Sequence, residues 1–94
     1  MRRYDEPIEV RSRHVDGAVE PVQFLWRRKL WQVLSVETRW RETADWWAHP
    51  GDDLLAESEI WRVVAAASQS ALPGVYELAH PVSGGAWLMR AVVD

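Results

Sequence analysis

The segment Pro21-Val22-Gln23-Phe24-Leu25-Trp26-Arg27-Arg28-Lys29-Leu30-Trp31-Gln32-Val33 decides how the rest of the chain is read. Val22, Phe24 and Trp26 fall at every second position, with Gln23 and Leu25 between them, which is the period of a strand with one face toward a core. A short charged break, Arg27-Arg28-Lys29, separates this run from a second one of the same period. There Leu30, Leu34, Val36 and Trp40 alternate with Trp31, Val33, Ser35, Glu37 and Arg39 as far as Arg41. The first set is expected to form the drier face in the second half of the run, while Trp31 and Val33 make both faces apolar at its start. A long strand of this kind suits a curved sheet, beginning inside a barrel and bending away from it.

Upstream, Pro7 opens an edge strand in which Ile8 and Val10 alternate with Glu9 and Arg11, and residues 1–6 read as a flexible tail. Asp16-Gly17 then tolerates positive φ at both central positions of a type I′ turn, giving a hairpin with Pro21–Trp26. Downstream, Glu42–Ser58 is the least regular stretch, with Trp46-Trp47, His49-Pro50-Gly51 and Asp52-Asp53, and a single helical turn is expected near residues 43–48. Ile60–Ala66 is extended, with Trp61, Val63 and Ala65 on one face and Arg62 on the other. Its alternative is a helix running from Trp61 through Ala65–Leu72. Val75–His80 and Ala86–Val93 form a closing hairpin around Gly84-Gly85. Strands and turns at this spacing predict one all-β, mainly antiparallel domain over residues 1–94: a five- or six-stranded rolled sheet or partly open barrel.

Composition narrows the function. The chain has 94 residues, 48% hydrophobic and 27% charged, with a formal net charge of −3, which excludes a globally basic nucleic-acid binder. It has no cysteine, so disulfides and thiol chemistry are absent. No apolar run approaches the ~18 residues of a membrane span, and the cytoplasm is the default expectation. Residues 1–41 hold nine basic and six acidic side chains, residues 42–94 two and eight, so a basic side is expected on an acidic protein. His14, His49 and His80 show no metal-ligand spacing. Asp52-Asp53 lacks the spaced oxygens of a calcium loop, and the serines fit no nucleophile elbow. No catalytic residue, metal site or cofactor is expected.

Seven tryptophans are the unusual feature: Trp26, Trp31, Trp40, Trp46, Trp47, Trp61 and Trp87. Most should be core, since a chain this short has little else to bury. Two tracts combine rings with cations: Trp26-Arg27-Arg28-Lys29-Leu30-Trp31, a basic hairpin tip flanked by two rings, and Arg39-Trp40-Arg41, near Trp46-Trp47. Grooves of that kind hold single-stranded nucleic acid by stacking bases and tracking phosphates. The plainer readings are a solvated turn, and a core ring with snorkelling arginines. Trp46 and Trp47, being adjacent, cannot both enter the core of an extended segment, so an exposed indole there is a candidate anchor for a protein partner.

Phe24-Leu25-Trp26-Arg27, Trp31, Val33, Trp46-Trp47, Trp61-Arg62-Val63, Val75-Tyr76-Glu77-Leu78 and Trp87-Leu88 resemble a small actinobacterial family of uncharacterised proteins. They are also similar to the C-terminal region of ImuB-like proteins, catalytically inactive relatives of Y-family DNA polymerases. The resemblance spans roughly Asp5 to Val93. It implies a setting in DNA repair and translesion synthesis, where ImuB-like proteins bridge other components, and it implies no reaction. Relatives are expected to carry a glycine at the hairpin tip, where Arg28-Lys29 has none, which argues against a tight type I′ turn.

Three functions therefore stand: a non-enzymatic protein-interaction module, a single-stranded nucleic-acid binder, and a small ligand-binding or enzymatic barrel. The chain is expected to be a monomer, or a homodimer formed by strand addition at an open edge such as Ile8–Arg13.

Overall fold

Two tight turns organise the N-terminal half. Asp16 and Gly17 take φ of 49° and 79°, the type I′ geometry expected of Asp-Gly. Arg27 and Arg28 take φ of 53° and 64° between the paired residues Trp26 and Lys29. The second turn is thus as tight as the first, although neither central residue is glycine. In the computed structural model, which describes residues 1–43 and 57–93, these turns join the first three of six strands: β1 (Arg2–Val15), β2 (Ala18–Trp26), β3 (Lys29–Thr43), β4 (Glu57–Ala66), β5 (Gly74–Pro81) and β6 (Trp87–Val92). All neighbours are antiparallel, strand order follows chain order, and β6 returns to β1 to close the barrel. There is no helix among the described residues. The helix considered for Ala65–Leu72 is replaced by a strand to Ala66 and a turn. Of the helical turn expected near 43–48, only Thr43 is described, as the last residue of β3.

The start of the chain differs from the expected tail. β1 begins at Arg2, and Arg2 and Arg3 pair with Val92 and Ala91 of β6. Tyr4 packs edge-on against Trp26 at 5.4 Å, which holds this segment down. Pro7 lies inside the strand in register with Leu88 of β6, and the β2 side of β1 is paired only from Glu9 onward, so the residue that cannot donate sits before that ladder begins. Ile8 pairs with Trp87, so the expected open edge Ile8–Arg13 begins only at Glu9.

β3 bends through two bulges. Against β4 its register slips between Val33 and Ser35 and again between Val36 and Thr38, leaving Leu34 and Glu37 as extra residues. Each extra residue exchanges inward and outward positions. Trp31 and Val33 pack on the core ahead of the first bulge, which leaves Leu30 and Leu34 exposed by alternation, and the bulge then brings Val36 inward as well. This corrects the expectation that Leu30, Leu34, Val36 and Trp40 share the drier face. The expected curvature is real, and β2 and β3 stay paired only from Gln23–Gln32 to Trp26–Lys29.

Alternate positions fill the barrel. Phe24, Val63, Leu78 and Met89 are fully buried, joined by Trp26, Trp61, Ala65, Tyr76 and Trp87. Trp61, Val63 and Ala65 face inward as their period predicts. Truncating the centre should be costly. Leu78→Ala is expected to lower stability by about 2–5 kcal/mol in urea denaturation, and Leu34→Ala by no more than about 0.5 kcal/mol.

Candidate functional site

The two ring-and-cation tracts differ: the first has its ring enclosed, while Arg39, Trp40 and Arg41 line a shallow polar cleft of about 260 Å³ with Asp16, Gly17, Ala18 and Glu59. Trp26 is only 8% exposed, enclosed by Tyr4, Trp31 and Tyr76, so its face is not open to a base. Trp31 donates its indole N–H to the Trp26 carbonyl at 3.2 Å. Arg27 folds back, its guanidinium 4.9 Å from the Tyr4 ring and 4.8 Å from the Trp26 ring. It pairs with Glu6 at 3.1 Å, and that carboxylate raises the Arg27 pKa further. Arg28 and Lys29 are exposed and form no ion pair with the described residues.

At the second tract, alternation separates the ring from its neighbours. Arg39 lies over Trp61 at 5.2 Å and pairs with Glu59 at 3.4 Å, and Arg41 pairs with Glu57 at 3.6 Å. Trp40 takes part in a different cluster. Its indole N–H donates to Glu42 Oε2 at 2.8 Å, and Arg62 and Arg90 approach its ring at 5.9 and 6.0 Å. Arg62 donates from Nε and Nη2 to Glu77 Oε2 at 3.1 and 2.6 Å, while Arg90 reaches Glu77 Oε1 at 3.7 Å and also binds Glu42. Arg90, with help from the Trp40 N–H, holds the Glu42 carboxyl below its ordinary range.

Glu77, 3% exposed, is the carboxylate at the centre of this cluster. Its two arginines offset the desolvation of its charge. The cluster ties β3, β4, β5 and β6 together. The one residue whose role could have been inferred is Glu77, which sits directly opposite Arg62 once the β4–β5 register is known. Trp46 and Trp47 lie outside the described residues.

A different surface combines exposure with apolar chemistry. Leu25 and Leu30 sit opposite each other on β2 and β3, 41% and 46% exposed. Next along is a rung in which Gln32 donates to Gln23 at 3.0 Å, followed by Leu34 at 57% exposed. Beyond Leu34 lies a groove of about 550 Å³ lined by the polar Gln32, Ser68 and Gln69 together with Leu34, Ala66, Ala71 and Pro73. Leu72, 92% exposed, stands between the last two. Charged side chains stay at the rim: Glu9 and Arg11 on one flank, and Arg28 and Lys29 at the end. Leucines on either side of a glutamine rung, within a charged rim, have the mixed composition of a protein interface. The sequence does not show this face because Leu30 and Leu34 share the period of Val36, and only the bulge after Val33 separates them from it.

At the opposite end of the barrel, His80 stacks on Trp87 with centroids 4.3 Å apart. Burial pushes its pKa below the ordinary 6.5, against the opposing pull of Glu59 and the Gly85 backbone. The unfolded chain therefore takes up this proton first. The stability involved is complete above about pH 6.5 and is lost as pH falls toward the folded value. Two predictions follow from these geometries. Urea midpoints should drop between pH 7 and pH 5, with His80→Gln flattening the slope. Glu77→Ala should cost about 3 kcal/mol, read in the same assay at pH 7.

Comparison with curated proteins and with solved structures finds no match. The model of DUF6504, a domain of unknown function, matches residues 1–94, and the chain belongs to that family.

Proposed function

We propose that this domain is a non-enzymatic protein-interaction module that docks a partner on the outer face bearing Leu25, Leu30, Leu34 and Leu72. One observation carries the reading: Leu25, Leu30 and Leu34 are exposed on one face of β2 and β3, with Leu72 exposed on the loop that borders the groove at Leu34, outside a barrel whose interior is already packed. Exposed apolar side chains grouped on one face in this way mark an interaction surface. The likeness to the C-terminal region of ImuB-like proteins supports a setting in DNA repair and translesion synthesis.

Single-stranded nucleic acid is the second reading, favoured by Arg28 and Lys29, which form no ion pair with the described residues, and by the cleft at Arg39, Trp40 and Arg41. Burial of Trp26 and the carboxylates paired with Arg39 and Arg41 weigh against it.

The two readings separate by photo-crosslinking in cells. A crosslinking residue at position 30, 34 or 72 is expected to give an adduct with a defined protein, and one at position 13 none. Leu34→Ser and Leu72→Ser should abolish the adduct while leaving thermal unfolding within a few degrees. Adducts independent of position, or quenching of Trp fluorescence by an oligo-dT strand that is lost at high salt, would favour the alternative.

A further inference from the structure

The turn at the end of the leucine face is built from residues that backbone geometry disfavours. Arg27 and Arg28 hold φ of 53° and 64°, a region that L side chains other than Asn and Asp enter at a steric cost. The same chain places Asp16-Gly17 at its other two-residue turn, so a strain-free solution is within its repertoire. Arg27 is compensated by Glu6 and by the Tyr4 and Trp26 rings. Arg28 has no such compensation. It is exposed, and it makes no ion pair, side-chain hydrogen bond or ring contact with the described residues. Lys29 beside it is likewise exposed and unpaired among them. Strain kept at an exposed position points to a role outside the fold.

Three facts meet here. Two cations without described partners stand at a strained tip, on a protein whose formal net charge is −3. The tip adjoins Leu25 and Leu30, which are apolar and open. On the flank of the face Glu9 and Arg11 oppose each other in charge, so the tip sets the sign of the rim. Between tip and groove the surface offers leucines rather than open aromatic rings, which suits aliphatic side chains better than stacked bases.

We infer that the leucine face selects an acidic segment of a partner protein, one whose apolar side chains seat on Leu25, Leu30 and the groove at Leu34 while its carboxylates meet Arg28 and Lys29. The inference rests on the docking reading above and adds the chemistry of the partner. Charge complementarity of this kind chiefly sets specificity and encounter rate, with apolar contacts supplying the affinity.

Arg28→Gly separates fold from function, because the two should move in opposite directions. Glycine relieves the left-handed strain, so the melting temperature is expected to rise by about 4 °C. The same change removes one charge from the rim. Three 15-residue peptides serve as probes for NMR titration of the isotope-labelled full chain. The first has leucines flanked by glutamates, the second has lysines in place of the glutamates, and the third has serines in place of the leucines.

The glutamate peptide should shift amides in residues 23–34 and 66–73, with the lysine peptide about tenfold weaker and the serine peptide silent. Arg28→Gly should weaken the glutamate peptide about threefold, and Arg28→Glu more. Equal binding of the lysine peptide, or an affinity unchanged by Arg28→Gly, overturns the charge selection. If Leu34→Ser still abolishes binding in that case, the docking face survives. Shifts confined to other surfaces, or no shift with any peptide, overturn both.

Discussion

A small barrel has room along its axis for one side chain from every second position, and here that room is taken. Phe24, Val63, Leu78 and Met89 are fully buried, with the rings of Trp26, Trp61, Tyr76 and Trp87 packed around them. Every other apolar side chain on the strands must find cover on the outside or remain exposed. The character of the outer surface follows from this limit. Over β3–β6 it carries the ion cluster around Glu77. Over β2 and the first half of β3 it carries leucines.

The two outer faces use their charges differently. Around Glu77 each cation has an acceptor, and the indole of Trp40 completes the set by donating to Glu42. Such a cluster is internally neutral, a fastening across four strands rather than a site open to an incoming charge. At the β2–β3 tip the balance is not closed, because Glu6 answers Arg27 alone. Of the basic side of the sequence, Arg13, Arg27, Arg39 and Arg41 are tied to nearby glutamates, while Arg28 and Lys29 at the tip, like Arg2, Arg3 and Arg11 on β1, form no ion pair with the described residues.

Much of the fold was legible in the chain. Asp16-Gly17 announced its hairpin, the period of two announced β2, β4, β5 and β6, and Trp61, Val63 and Ala65 announced their inward face. The outward leucines were not legible. A bulge is one extra residue in one strand, with no compositional mark in β3, and Leu34 and Glu37 look like ordinary members of the alternation. The start of β1 was missed because its partner, β6, lies at the far end of the chain. Trp26 was read as available for stacking because adjacent arginines suggest an exposed tip. Its ring turns inward from the last position of β2, beneath Tyr4 and Arg27. The carboxylates that neutralise Arg39 and Arg41 sit on β4, and only the β3–β4 register brings them close.

The placement of the leucines is therefore the claim on which the functional reading stands. Methyl-labelled leucine and a soluble paramagnetic gadolinium chelate measure it directly. The methyls of Leu25, Leu30, Leu34 and Leu72 should broaden strongly, and those of Leu78 should stay sharp. Leu30 and Leu34 methyls protected as well as those of Leu78 would mean that β3 turns its leucines inward in place of Trp31 and Val33, and would contradict the account.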